Sequence, residues 1–221
     1  MIVKAVECLP KTDSKVFICL EEHLKKHDLE KTLVESFKKT QIISIEDITQ
    51  GQACTTEIGI NIAKLDLEKP ILVSACDNGV LYDEEEYQNL INDTSNDIIV
   101  WSFRNNQASK INPNMYAWLK VDENNFIKHV SCKKFIYENP LTTHAIIGTM
   151  FFRKARYFLD GLQKNYKENI RTNNEFYVDD VLNQNIKNGL NVKVFEAKNY
   201  ICWGTPNDYK TYNYWKDYFN A

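Results

Sequence analysis

Pro70-Ile71-Leu72-Val73-Ser74-Ala75-Cys76-Asp77-Asn78-Gly79 is an apolar run that stops abruptly at an acid and a turn-forming pair. A short run of this kind reads as a buried strand, and Asp-Asn-Gly favours a turn at its end. Ligands in open α/β sheets bind at the carboxyl ends of strands. A carboxylate at such a strand end, here Asp77, can hold Mg²⁺ against a triphosphate, because the hard cation takes oxygen ligands and bridges phosphate oxygens. A plain turn accounts for the same residues.

Outward from this strand the chain alternates. Upstream, residues 1–9 place Ile2, Val3, Val6 and Leu9 at helical spacing before Pro10. Residues 15–20 read as a strand, 22–39 as one charged surface helix, and 41–45 as a second strand. A turn at 49–52 leads into a helix through Ile58, Ile62 and Ala63. Downstream come a helix over 84–92 and a strand over 98–103. Two strands, 116–121 and 126–132, follow across the turn 122–125. A strand over 145–152, helices over 154–166 and 177–187, a strand over 192–195 and a terminal helix over 206–219 complete the pattern. The alternation predicts βαβ units in a largely parallel sheet, within a single domain over 1–221.

Composition narrows the function. The 221 residues are 43% hydrophobic and 26% charged, with a formal net charge of −3. That is ordinary for a globular protein, and it lacks the basic excess that nucleic acid demands. No apolar run has the length of a membrane span, so no membrane insertion is expected. The opening residues carry Lys4 and Glu7 and do not read as a signal peptide. The six cysteines form no CxxC pair and no zinc-type spacing, which fits reduced thiols and a cytoplasmic location.

Four further segments carry chemistry. In Thr49-Gln50-Gly51-Gln52-Ala53-Cys54-Thr55, a Gly at a helix mouth permits close backbone approach, and a Gln amide can read a base edge. Ser131-Cys132-Lys133-Lys134 ends a strand in lysines, point charges for a phosphate or simply solvated. Asn173-Asn174-Glu175-Phe176-Tyr177-Val178-Asp179-Asp180 reads as a helix start with acids suited to the dipole, or as paired carboxylates for a metal or substrate hydroxyls. In Cys202-Trp203-Gly204-Thr205-Pro206, Thr205 caps a helix whose first residue is Pro206.

Taken together and in this order, the five segments resemble the bacterial sugar-phosphate nucleotidyltransferases, in particular a branch tied to capsule and surface-polysaccharide synthesis. The resemblance runs from about Val3 to Tyr218. It implies a GT-A-like, three-layer α/β/α fold around a mixed, mostly parallel sheet. It also implies attack by an acceptor phosphate on the α-phosphorus of an NTP, with release of pyrophosphate. By position, Asp77 resembles the metal-binding Asp, with Asn78 beside it in the nucleotide site. Gly51, Gln52 and Ala53 resemble the base-recognition segment. Lys133 or Lys134 resembles the Lys on the acceptor phosphate, and Glu175 the Glu on substrate hydroxyls. The partners implied are an NTP, CTP by preference, and a phosphorylated small molecule such as a hexose or heptose phosphate.

Two departures qualify the resemblance. Relatives carry a second metal-binding Asp two residues before Gly-Thr-Pro, where this chain has Cys202, and a thiol is a poor Mg²⁺ ligand. Asp179 or Asp180 takes its place, with Asp180 preferred, or Asp77 and the phosphates suffice. Relatives also open with a strand and a Gly-rich phosphate loop. Here residues 1–6 already resemble the following helix, and no Gly precedes Gly51. The expectation is a start further upstream, a truncated remnant, or a sheet completed by another copy or partner. It carries a second expectation, weak or no transferase activity by these 221 residues alone. A non-catalytic nucleotide- or sugar-phosphate-binding relative is the competing reading. A glycosyltransferase is a third, opposed by the absence of Asp-x-Asp.

Overall fold

The computed structural model describes residues 1–219. Helix α1 (Ile2–Glu7) leads to strand β1 (Lys15–Leu20), helices α2 (Glu21–Lys26) and α3 (Leu29–Ser36), and strand β2 (Thr40–Ile45). The charged segment expected as one helix is two, because Asp28 adopts a left-handed conformation (φ 46°) between them. Leu33 faces inward there and meets Phe17 and Cys19 in a small core of its own. β1 and β2 pair in parallel and form a separate two-stranded sheet.

Helix α4 (Gln52–Ile62) then packs back, followed by β3 (Ile71–Ser74) and β4 (Asn78–Leu81). The residues expected to be only a turn, Asn78 and Gly79, therefore begin a strand. The cause is non-local: β4 pairs antiparallel with β10 (Asn199–Cys202), more than a hundred residues away. Helix α5 (Glu84–Asn92) starts at Asp83, whose carboxylate accepts the backbone N–H groups of Glu85 and Glu86, a capping geometry that satisfies two otherwise orphaned donors.

The central sheet is built from β5 (Ile98–Phe103), β6 (Ala117–Val121), β7 (Ile127–Cys132), β8 (His144–Phe152) and β9 (Val192–Glu196) in the order β7-β6-β8-β5-β9, with β3 also on β8. Helix α6 (Gln107–Ile111) and a 3₁₀ turn at Pro113–Met115 join β5 to β6. β5 is buried along its whole length. Its Ile98 and Val100 face helices α4, α7 (Ala155–Glu168) and α8 (Val178–Lys187), while Ile99, Trp101 and Phe103 face α5. Two cores on opposite faces of one sheet make a three-layer α/β/α architecture.

The α/β class and the mixed sheet match the sequence reading, but the ladders are less parallel than the alternation implies. β8 runs antiparallel between β3 and β5, so within this sheet only β5–β9 is a parallel ladder among the described residues. β8 is also long enough to serve two partners on one side. Its start (His144, Ala145) pairs with β6 and its end (Thr149–Phe152) with β3. Helix α9 (Pro206–Phe219) closes the described chain. Thr205 caps it as expected, its hydroxyl accepting the Asp208 N–H at 3.2 Å. Among the described residues no helix is long and apolar enough to cross a membrane, and all six cysteines are free.

Candidate functional site

The fork in β8 leaves a cleft of about 580 Å³ between its partners. One end is apolar, walled by β1, α4 and β3. The other is polar and gathers Asp77, Lys133, Tyr177, Asp179 and Cys202, with Gln52 on the α4 side. These residues come from five separate segments.

Asp77 follows the last β3 residues. Ala75 N–H donates to the Gly148 carbonyl at 2.9 Å, where β8 turns through a positive φ of 90°, and the Asp77 carbonyl accepts the Trp203 N–H at 2.8 Å. The Asp77 side chain lies against Gly204, where an added Cβ would stand 3.1 Å from its Oδ2 and 3.7 Å from Cys202 Sγ. Asp77 and Cys202 are thus neighbours across the cleft mouth. Burial raises the Cys202 thiol above its usual range, so a neutral S–H stands beside Asp77, bonded to Asp208 at 3.5 Å. Asn78 has a different place. It is buried, and its Nδ2 donates to the Ile147 carbonyl at 3.0 Å. It ties β4 to β8 and is not on the cleft wall.

Gly51 has φ 130°, and a Cβ there would lie 2.5 Å from the Phe176 carbonyl oxygen. That close approach lets Ala53 N–H donate to the Phe176 carbonyl and Phe176 N–H to the Gln50 carbonyl, at 3.0 and 2.8 Å. Ala53 is fully buried, so Gly51 and Ala53 fasten the wall and Gln52 alone of the three reaches the cleft. Arg171 locks the same junction from outside, stacking 3.9 Å over the Phe176 ring and donating to Gln50 Oε1 at 2.6 Å.

Lys133 sits just beyond β7 in a left-handed conformation (φ 52°). Its Nζ donates to the Met115 carbonyl at 2.5 Å and lies 5.6 Å from the Tyr177 ring centre. Lys134 points elsewhere: it is absent from the cleft wall, and its carbonyl accepts the Ser131 hydroxyl at 2.6 Å. Glu175 is exposed and is not on the cleft wall, but it stands beside Tyr177, which is; burial and then the Glu175 charge push the Tyr177 phenol up to about 12.

The adjacent acids of α8 separate. Asp179 enters the cleft wall, whereas Asp180 is buried outside it and accepts the Thr172 hydroxyl at 2.8 Å. Burial pushes the Asp179 carboxyl up to about 6, and the Asp180 charge adds to this while Lys133 opposes it. Cys132 donates its S–H towards Asp179 at 3.8 Å. Tyr177 and Tyr116, both on the wall, were not singled out by the sequence reading. Tyr177 lies inside the Glu175 segment and could have been found from it, while nothing local marks Tyr116.

No family profile matches the chain, and no curated protein matches it significantly. Solved structures do resemble it. The chain is similar to a nucleoside-diphosphate-sugar pyrophosphorylase from Vibrio cholerae RC9, at 16% identity and a TM-score of 0.69 over 89% of this chain and 79% of the other. It is similar to the inositol-1-phosphate CTP transferase from T. maritima at 16% identity, with a TM-score of 0.64 over 90% and 74%. A third likeness, at 16% identity and a TM-score of 0.69 over 96% and 78%, is to a protein from Bacillus anthracis assigned as a glucose-1-phosphate thymidylyltransferase, in complex with a sucrose. At this identity the likeness establishes the fold alone, one shared with these three structures.

Proposed function

We propose that this chain is a single nucleotidyltransferase domain that transfers an NMP group from an NTP to a sugar phosphate or similar small phosphorylated acceptor. The observation that carries the proposal is the meeting of Asp77, Lys133 and Gln52 in the lining of one cleft, from segments far apart in sequence. An acceptor phosphate oxygen attacks the α-phosphorus, the bond to the β-phosphate bridging oxygen breaks, and pyrophosphate leaves. Catalysis of this kind is mainly positioning and charge neutralisation.

In this scheme Gln52 reads the base from the first residue of α4, on a backbone held by Gly51 and Ala53. Asn78 sets the strand that carries Asp77. Lys133 has three ammonium donors and spends one on Met115, which leaves donors for the acceptor phosphate. Lys134 adds positive charge behind it. Glu175, exposed beside Tyr177, takes acceptor hydroxyls. The donor set suits Mg²⁺, an ion that keeps several waters and needs only one or two carboxylates beside substrate phosphates. Asp77 would hold it. No cluster of three His, Cys, Asp or Glu side chains that could hold a metal ion occurs among the described residues, so phosphate oxygens would complete the set. Asp179, on the cleft wall, suits a second carboxylate better than Asp180, which is committed to Thr172. Bound there, Mg²⁺ would neutralise charge on the triphosphate.

CTP is the proposed nucleotide, in keeping with the CTP transferase among the structural neighbours. The proposed role is cytoplasmic synthesis of capsule or surface-polysaccharide precursors. Cys202 beside Asp77 favours one alternative, a relative that binds nucleotide without turning it over. Thermal shift with Mg²⁺ and CTP, UTP or dTTP separates these readings. Bound ligand raises the melting midpoint by mass action. CTP should raise it most, and Asp77→Asn should remove the shift. Pyrophosphate release on adding sugar phosphates then marks transfer, and a shift without release marks the binding relative. Nucleoside diphosphate release would point to a glycosyltransferase. No shift with any NTP would overturn the proposal.

A further inference from the structure

A second hollow, of about 580 Å³, lies across α4 from the cleft. That is within the range of small-molecule sites, about 300–1,000 Å³. Residues four apart share a helix face. Cys54 and Ile58 line this hollow, while Gln52, Thr55, Thr56 and Gly59 line the cleft. The partition continues through the neighbouring segments. Gln50 faces the hollow and Gln52 the cleft, with Gly51 between them, and Phe176 faces the hollow where Tyr177 faces the cleft. Thr49, on the hollow, and Thr55, on the cleft, share a hydrogen bond of 2.7 Å between their hydroxyls.

Ile48, Cys54, Ile58 and Tyr166 give the hollow an apolar side, and Arg171 is the one charged residue of its lining. The Arg171 guanidinium meets neutral acceptors. Its Nε donates to Asn169 Oδ1 at 2.9 Å, Nη1 to the Asn174 carbonyl at 3.0 Å and Nη2 to Gln50 Oε1 at 2.6 Å. None of the ion pairs among the described residues includes it. Glu57 stands behind Tyr166 and outside the lining, its carboxylate accepting the Tyr166 hydroxyl at 2.7 Å and the Gln163 amide at 3.0 Å. A guanidinium has five N–H donors, so among the described residues one on each Nη is left without an acceptor. The three bonds and the Phe176 ring 3.9 Å away already hold the group still, so an anion docking on it orders little that is not ordered beforehand.

We propose that this hollow binds a small molecule carrying an oxyanion, phosphate or carboxylate, on an uncharged apolar body, and that its occupancy stiffens the junction carrying Gln52. The oxyanion takes the two remaining N–H groups of Arg171, a fork suited to paired oxygens, and the body rests on Ile48, Cys54 and Ile58. A neutral ligand would leave the fixed charge unanswered, and a cation would be repelled by it. Arg171 holds Gln50, and Gln50 and Ala53 both bond Phe176, so fixing Arg171 fixes the Gly51 turn. The inference needs no transferase activity, because no cleft residue contacts the ligand.

The test titrates the 221-residue chain with phenyl phosphate, benzoate and uncharged benzyl alcohol, followed by backbone amide chemical shifts. Both oxyanions should shift Cys54, Ile58 and Tyr166, and benzyl alcohol should bind at least about tenfold more weakly. The tighter of the two oxyanions identifies the group. Arg171→Gln should weaken oxyanion binding by a similar factor, with its fold checked by thermal melting; if it does not fold, the comparison on the unaltered protein decides. Amide exchange at Ala53 and Phe176 should slow on binding, more than exchange in β5. Equal binding of benzyl alcohol, shifts confined to Lys133 and its cleft neighbours, or no binding of either oxyanion would overturn the proposal. So would binding without slowed exchange at Ala53 and Phe176. NTP binding is read separately, from the cleft residues, so either inference can fail alone.

Discussion

The central sheet and the β1–β2 unit are made of similar apolar strands, yet they are held very differently. β5 is buried over all six residues and has a core on each face. β1 buries only Phe17 and Cys19, in a small core with Leu33, and β2 buries only Ile43, which the register sets beside Ile18 on the opposite face. Stability is not uniform in such a molecule, and the part with fewer buried apolar contacts opens at lower free energy. The cleft lies along the boundary between the two. A rigid wall and a yielding wall therefore face each other across the candidate site.

The strongest test of this contrast is a matched pair of core truncations. Phe152→Ala, in the central sheet, should cost about 3–5 kcal/mol in global stability by urea denaturation. Leu33→Ala should show most of its loss locally, as faster amide exchange in β1 and β2 with β5 protection intact. If Leu33→Ala lowered β5 protection equally, the two regions would be one cooperative unit and the contrast would be broken.

Gly51→Ala should come next. Its positive φ and the clash with the Phe176 carbonyl exact about 1–3 kcal/mol of backbone strain. The loss should appear with displacement of Gln52, and therefore as weakened nucleotide binding beyond the stability change.

The third test sets two buried titratable groups of the central-sheet side against each other through pH. The Asp179 carboxyl is raised to about 6 by burial, so its penalty is absent below the unfolded value near 3.9 and grows as pH climbs to about 6. His144, buried and bonded to Ser102 at 2.9 Å, is lowered to about 4, first by burial and then by the Arg104 charge. Its contribution is complete above the unfolded value near 6.5 and is lost as pH falls towards 4. The two effects oppose each other over nearly the same window. Asp179→Asn should raise stability at pH 7 by about 1–2 kcal/mol, do little at pH 4, and unmask a steeper acid loss from His144. Urea midpoints at pH 4, 5.5 and 7 would show it; an equal gain at all three would place the effect elsewhere.

The smallest expected effect is Thr205→Ala, which removes the α9 cap at about 1 kcal/mol, detectable as a small drop in melting midpoint.

What was legible in the sequence follows the range of the forces involved. Thr205 and Pro206 announced their cap because an N-cap is settled within three residues, and β5 announced itself because an unbroken apolar run needs burial on both faces. The fold family was legible because several such segments kept their order. Asp28 was not: its left-handed φ depends on α2 and α3 both reaching the small core around Leu33. The β4–β10 pairing joins residues more than a hundred apart, and nothing local requires it. Asp179 and Asp180 are adjacent and chemically alike, so only the docking of α8 decides which enters the cleft. Lys133 and Lys134 pose the same problem at the end of β7.

The forked strand β8 has a consequence for how the site moves. It is backed along most of its length by β5, and it carries β6 at its start and β3 at its end. Through those partners the two cleft residues of opposite charge, Asp77 after β3 and Lys133 after β7, hang from a single yoke. Sliding either arm means breaking its register on the same strand, and a slip of one residue turns every side chain to the wrong face. The spacing between acid and base is therefore geared to one part. The freedom to open and close is left to the β1–β2 side, as in a vice with one fixed jaw.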